Sequence, residues 1–338
     1  MTATRHDLAE GFLASTDWRG AASRPLAGDA SNRKYDRITA DGMPSAVLMD
    51  APPETGEDVR PFTAIARHLR GIGLSAPEIY AEDAAHGFLL IEDLGDDLFA
   101  RVLDARPELE TQLYQTAIDA LIVAQQAKGP ALAAYDAEAM AAAAIPLTDW
   151  YLPHSTGTAT PDRLGREYDR LVRDMLGCLT ADEAVLVQRD YHAENLLWLP
   201  ERQGDARVGL LDFQDAMLGH PAYDLASLLK DARRDVAADV QRDMLEYYLT
   251  RTGADATRFA AAYAACSAQR NLRIMGVFAR LCVRDGKPSY PDLMPRVWGN
   301  LMDDLLHPAL ADLRRFIEAH VPAPDADVVA RIKAAAHG

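Results

Sequence analysis

Two short apolar runs, Ala184-Val185-Leu186-Val187 and Val208-Gly209-Leu210-Leu211, each end at once in an aspartate-bearing motif. The first leads into Gln188-Arg189-Asp190-Tyr191-His192-Ala193-Glu194-Asn195, the second into Asp212-Phe213-Gln214-Asp215. Apolar runs this short, set among helical patterns, read as strands, and the gap between them suits a β-hairpin. Either motif alone fits a turn or a helix cap. The two together, in this order and at this separation, are far more specific.

Upstream the pattern is mostly of strands. Residues Met1 to Trp18 read as a short amphipathic helix with Leu8, Phe12 and Leu13 on one face. The run Arg33 to Thr39 alternates and ends at Asp41-Gly42, a hairpin-turn signal, and Ser45 to Asp50 is the return strand. Phe62, Ile65, Ala66 and Leu69 have helical spacing, closed by Gly71 and Gly73. Glu78 to Glu82 and Phe88 to Glu92 complete a small antiparallel sheet. After Asp93-Leu94-Gly95 long helical patterns take over, at residues 109–127, at 163–178 and from Tyr223 onward, broken by Gly253, Pro288, Pro291 and Pro308. The expected fold class is α+β, with a β-rich lobe over 1–94 and a mostly helical lobe over 95–338.

Composition narrows the function classes. A chain of 338 residues is long enough for two lobes. Its formal net charge of -16 argues against nucleic acid as a partner, since phosphate backbones need a basic face. Nothing approaches the roughly 18 uninterrupted apolar residues of a membrane span, and the N-terminus lacks a signal-peptide layout. Cys178, Cys266 and Cys282 are odd in number and widely spaced. The expectation is a reduced, cytoplasmic protein with buried thiols and no membrane partner.

The chemistry the motifs allow is phosphoryl transfer. An Asp and an Asn five residues apart on one loop divide the work: Asp190 orients the attacking hydroxyl, and Asn195 binds a metal ion that bridges the phosphates. Asp212 supplies the carboxylate for Mg²⁺, a hard ion that prefers carboxylate and phosphate oxygens. ATP and Mg²⁺ are therefore the expected cofactors.

These motifs resemble the catalytic-loop Asp–Asn and the metal-binding Asp of the protein-kinase-like fold. More narrowly, His192 and the segment Gly219-His220-Pro221-Ala222-Tyr223-Asp224-Leu225-Ala226 resemble the aminoglycoside phosphotransferase (choline kinase-like) superfamily. That likeness implies a bilobal fold in which Asp224 begins a helix and braces the catalytic loop. Further segments recur as a set: Gly28 to Arg37, Leu48 to Pro53, Ile91 to Gly95, Asp212 to Ala216 and Ala268 to Leu281. Together they look like the anomeric N-acetylmuramate/N-acetylglucosamine kinases of bacterial cell-wall recycling. The resemblance implies an amino-sugar substrate phosphorylated at its anomeric hydroxyl, giving a sugar 1-phosphate. The competing acceptors are an aminoglycoside, choline or a fructosamine-type compound; the competing class is a non-catalytic nucleotide-binding protein.

The same resemblance places the nucleotide near Gly28, Ser31, Asn32 and Arg33, with backbone groups of Glu92 and Leu94 meeting the base. One glycine in that loop makes neither a P-loop nor a G-x-G-x-x-G. One departure stands out: the return strand Ala46-Val47-Leu48-Met49-Asp50 has no lysine for the phosphates, leaving Arg33, Lys34 and Arg37 as nearby cations. On the acceptor side, Gln214, Asp215 and Asn271 are candidates for sugar hydroxyls and the acetamido group. Arg270, Arg273, Arg280 and Arg284 form one helical stripe, and Arg270 and Arg273 are the candidates for a substrate carboxylate. Trp150 and Tyr151 are candidates to stack on a sugar face or to pack in the core.

Overall fold

The computed structural model describes residues 4–26, 32–179 and 184–337. The chain opens with α1 (Arg5–Ala14), β1 (Ala22–Pro25), β2 (Lys34–Thr39), β3 (Ala46–Asp50) and α2 (Arg60–Gly71). It continues through β4 (Ile79–Asp83), β5 (Phe88–Glu92), α3 (Phe99–Ala105), α4 (Glu110–Gln126), β6 (Ala134–Tyr135) and α5 (Ala137–Ala144). Next come α6 (Leu152–Thr156), α7 (Asp162–Leu176), β7 (Val185–Val187), β8 (Leu196–Trp198), β9 (Val208–Leu210) and β10 (Met217–Gly219). The remainder is helical: α8 (Ala222–Leu229), α9 (Ala238–Thr252), α10 (Ala256–Val283), α11 (Met294–Asp304), α12 (Ala311–His320) and α13 (Ala326–Ala334). The class is α+β, with an antiparallel N-terminal sheet and a helical C-terminal region.

Two compact units emerge, residues 1–107 with 194–216, and residues 108–193 with 217–338. The expected boundary at 94/95 differs in two ways. The break falls after Pro107, because α3 packs on β8 and Phe99 meets Trp198 edge-on at 6.4 Å. The β8–β9 hairpin also returns to the first unit: Leu210 N–H donates to Ser75 O at 2.9 Å, and Trp198 N–H to Asp97 O at 2.8 Å. These are long-range bonds that local patterning does not reveal.

The first unit is built on a five-stranded antiparallel sheet in the order β1-β2-β3-β5-β4. Gly42 turns the β2–β3 hairpin with φ +74°, a conformation open to glycine at little cost. Because side chains alternate along a strand, Ala46 and Leu48 share one face, as do Phe88 and Leu90 on the paired strand. That face packs with Ile38, Phe12 and Trp18 into one apolar cluster, which is how α1 is held. The central strands β3 and β5 are otherwise buried on both faces.

The second unit is organised around α10, 28 residues long and started by Asp255, whose side chain accepts from Arg258 N–H. It packs against α11, α8, α5 and a π-helical turn at Leu147–Tyr151. A small sheet in the order β6-β10-β7 presents the loop after β7.

Candidate active site

In the second unit the loop leaving β7 carries Asp190. The wholly buried Asp224, third residue of α8, accepts Gln188 N–H at 2.6 Å and Arg189 N–H at 2.9 Å. Burial pushes its carboxyl up to about 7, against the pull of the two amide donors. Arg189 has φ +75°, a left-handed conformation that costs a residue with a Cβ. The two amide bonds help hold it there, as does its guanidinium, which lies 5.1 Å from the centre of the Tyr135 ring. Tyr191 anchors the next position, its hydroxyl donating to Ala117 O at 2.7 Å.

Asp190 sits half-buried between these anchors. Burial opposes its charged form, yet the guanidiniums of Arg273, Arg270 and Arg189 outweigh it and hold the carboxyl below its ordinary range. A carboxylate ionised throughout the neutral range is a weak base, suited to accepting and aligning a hydroxyl rather than stripping it early.

Arg270 is 3% exposed, and Arg273, three residues on, is half-buried. Neither forms a salt bridge among the described residues; Arg270 Nη1 reaches Lys230 O at 3.5 Å. The expected stripe therefore divides, since Arg280 is half-buried away from any salt bridge and Arg284 pairs with Asp285 at 2.6 Å. Asn271 departs from expectation: it is buried, and its amide donates to Asp304 Oδ2 at 3.0 Å rather than facing a sugar. Tyr151 is also interior, with its hydroxyl on Pro322 O at 2.6 Å, while Trp150 stacks on His154.

In the first unit, Asp212 follows β9 with φ +56°. It and Arg189 are the non-glycine residues with positive φ among the described residues, and both lie in the two acidic motifs. Phe213 anchors this loop, wholly buried and stacked on Phe62 at 4.8 Å. Leu211 N–H donates to Asn195 O at 3.0 Å, bringing Asn195 Nδ2 to 3.5 Å from Asp212 Oδ2. Gln214, expected to meet sugar, instead donates to Asp212 Oδ1 at 2.7 Å, and Asp215 is exposed.

This donor set fits Mg²⁺. The ion takes one or two protein oxygens and fills the rest of its octahedron with phosphate and water. One carboxylate beside one amide matches that, and among the described residues no group of three or more His, Cys, Asp or Glu is arranged to hold a metal.

Of the expected nucleotide residues, Gly28 and Ser31 lie outside the described residues, and Asn32 is exposed. The nearby cations separate clearly. Arg37 is held by both Asp93 and Asp96, at 2.7 and 2.9 Å. Lys34 is exposed. Arg33, at the foot of β2, pairs with Glu57 at 2.7 Å with both side chains largely covered. Glu57 lies just ahead of α2, and as a lone acid in a loop nothing in the sequence singles it out. Glu92 spends its N–H on Glu78 O at 2.7 Å, and its carboxylate takes Arg202 and Arg70. Leu94 is 9% exposed.

Comparison with known proteins identifies the family. The model of the phosphotransferase enzyme family matches residues 23–263. The N-acetylmuramate/N-acetylglucosamine kinase of Caulobacter vibrioides is 38% identical, over 95% of this chain and 98% of that protein. The enzyme of the same name from Pseudomonas aeruginosa is 36% identical over 86% of each. Among solved structures, a choline/ethanolamine kinase family protein from Mesorhizobium loti superposes with a TM-score of 0.62 at 15% identity, covering 92% of this chain and all of that one. APH(2″)-IIia, solved with GDP and kanamycin, superposes with a TM-score of 0.61 at 12% identity, covering 88% of this chain and 98% of the other. At such low identity these structures show the shared fold alone. With a family match over most of its length and full-length relatives above 30% identity, the chain belongs to the phosphotransferase enzyme family.

Proposed function

We propose that this protein is an ATP-dependent sugar kinase that phosphorylates the anomeric hydroxyl of N-acetylmuramate and N-acetylglucosamine, giving the sugar 1-phosphate. The relatives named above support the substrate class. The observation that carries it on the chain itself is the pair Arg270 and Arg273, two covered guanidiniums without a salt-bridge partner whose charge reaches Asp190. Two covered guanidiniums around one carboxylate leave an excess of positive charge, so the pair favours an anionic acceptor and disfavours a cationic one. N-acetylmuramate carries a lactyl carboxylate; choline and kanamycin are cations. Among the described residues no helix is long and apolar enough to cross a membrane.

In this reading Asp190 accepts the hydrogen bond of the anomeric hydroxyl and aligns its oxygen for in-line attack on the γ-phosphorus. The P–O bond to ADP breaks as the new one forms, and the hydroxyl proton passes to Asp190 Oδ late in the step. Asn195 and Asp212 hold Mg²⁺, which neutralises charge on the phosphates when bound. Gln214 keeps the Asp212 carboxylate in one orientation. Arg33, steadied by Glu57, is the cation that stands in for the absent strand lysine. Gly28, Ser31 and Asn32 line the phosphates, and the Glu92 carbonyl with the Leu94 amide meets the base.

A coupled ADP-release assay with Mg·ATP against N-acetylmuramate, N-acetylglucosamine, choline and kanamycin tests the reading, alongside Asp190→Ala. Turnover on the amino sugars that disappears in the variant is the expected result. Turnover on the cations alone removes the substrate assignment, and an active Asp190→Ala removes the catalytic one.

A further inference from the structure

The loop that carries Asp190 is gripped at a second point. Asp231 lies two residues beyond the end of α8 and is 1% exposed. Its Oδ2 accepts Ala193 N–H at 3.3 Å, and its Oδ1 accepts Arg233 N–H at 2.8 Å. Asp224 and Asp231 thus bracket one short helix, seven residues apart in sequence. One takes the amides of Gln188 and Arg189, the other that of Ala193. Asp190 lies between the two grips.

The turn that follows α8 continues the contact through a side chain. Arg233 Nη1 stands 3.3 Å from His192 Nε2. A guanidinium only donates, so Nε2 is the accepting nitrogen and the imidazole proton sits on Nδ1. Burial pushes His192 down to about 4, with Asp231 pulling the other way. A neutral ring is what the Arg233 contact requires. The preceding residue ties the same turn to α10: Lys230 Nζ pairs with the buried Asp304, and Lys230 O meets Arg270 Nη1. Residues 230–233 therefore join the Asp190 loop to the helix that bears Arg270.

Such a second grip has a physical reason. Arg189 is in a left-handed conformation and needs its neighbours to over-determine it. The clamp at residues 188 and 189 and the Tyr191 hydroxyl on Ala117 O leave the backbone after residue 191 to be held by another contact, and a displacement of about 1 Å at a reacting group costs on the order of a hundredfold in rate. We propose that Asp231 is a positioning residue for the phosphoryl transfer, holding the C-terminal side of the Asp190 loop through Ala193 N–H and setting Arg233 on His192. This rests on the reading of Asp190 as the residue that aligns the acceptor hydroxyl.

The test is steady-state kinetics on the full chain carrying Asp231→Asn, which keeps the shape and removes the charge that binds two amides. The expected result is a fall in kcat of roughly tenfold or more, with KM for Mg·ATP and for the sugar within about threefold, in a protein that unfolds within a few degrees of the parent. A folded Asp231→Asn with kcat within about twofold of the parent overturns the proposal, as does a loss confined to KM for the sugar. Arg233→Leu covers the case in which that variant does not fold, since it leaves the Asp231 bonds to the backbone in place. It is expected to lose about fivefold or more in kcat at unchanged KM, and parental kcat in it overturns the proposal equally. The parent and Asp190→Ala run beside them: an active parent, an inactive Asp190→Ala and an unimpaired Asp231→Asn sink this inference alone. An active Asp190→Ala sinks the reading on which it rests.

Discussion

The side-chain amide of Asn271 donates to Asp304 Oδ2 at 3.0 Å, with both residues in the interior of the helical unit. The other carboxylate oxygen takes Lys230 Nζ. Burial raises the Asp304 carboxyl to about 6, while Lys230 and the hydrogen bonds of Ser267 and Asn271 favour its ionised form. Removing one partner of a covered ion pair strands the other. Asp304→Ala should therefore cost about 3–5 kcal/mol, read from urea unfolding midpoints, and a loss below about 1 kcal/mol would contradict the network's importance.

Gly276 faces the backbone of the π-helical turn. A Cβ placed there would lie 2.1 Å from Pro146 C and 2.3 Å from Leu147 N. Backbone cannot swing aside as a side chain does, so Gly276→Ala forces α10 away from that turn. A destabilisation of about 1–3 kcal/mol or more is expected in thermal or chemical unfolding. An unchanged midpoint would show that the two segments separate easily.

His220 gives a pH dependence of definite sign. Its Nδ1 accepts Ala222 N–H at 3.1 Å, and burial pushes the ring down to about 4. Between that value and an unfolded pKa of about 6.5, the unfolded chain holds a proton that the native protein does not. The stability this group contributes is complete above the unfolded value and is lost as pH falls through about 4. Asp224 and Asp304, both raised, act in the opposite sense, but they are common to parent and variant. His220→Asn should therefore gain on the parent as pH is lowered through this window. Parallel stability curves would remove His220 as the source.

The two sugars differ by a carboxylate, which separates the roles of the arginines. Arg270→Leu or Arg273→Leu should raise KM for N-acetylmuramate by roughly ten- to a hundredfold, the loss of one charge-assisted bond, and leave N-acetylglucosamine much less affected. Equal effects on both sugars would mean that these residues shape the Asp190 loop and do not grip the carboxylate.

Asp212→Asn should raise the Mg²⁺ concentration needed for half-maximal turnover by about tenfold or more, since it removes the carboxylate of the pair. Gln214→Leu, which keeps the carboxylate and removes its amide donor, is expected to show a smaller shift in the same titration. A Mg²⁺ requirement unchanged in Asp212→Asn would place the metal elsewhere.

What was legible in the sequence is what short-range physics decides. The Asp41-Gly42 turn, the alternation of β2, the alanine-rich α5 and the two strands that lead into Asp190 and Asp212 all follow from contacts within a few residues. The place of Asp224 at the start of a helix came from the family resemblance of residues 219–226. The missing strand lysine was equally plain, because it needs only the register of one strand.

Partner choice was not legible, because it depends on which distant groups share an interior. Spacing puts four arginines on one helical stripe, yet tertiary packing covers Arg270 and leaves Arg284, just past the end of α10, to Asp285. Gln214 and Asn271 read as sugar ligands by type, but carboxylates claim their amides: the half-buried Asp212 takes that of Gln214, and the buried Asp304 takes that of Asn271, where an unsatisfied charge inside costs more than an outward-facing amide gains. The return of residues 194–216 to the first unit rests on Ser75 and Asp97, about a hundred residues away in sequence. Residue types and their local spacing set the chemistry available to this protein and the short frames that carry it. Tertiary structure alone decided which polar groups face inward to hold those frames and which are left for a substrate, because burial makes every such pairing a long-range choice.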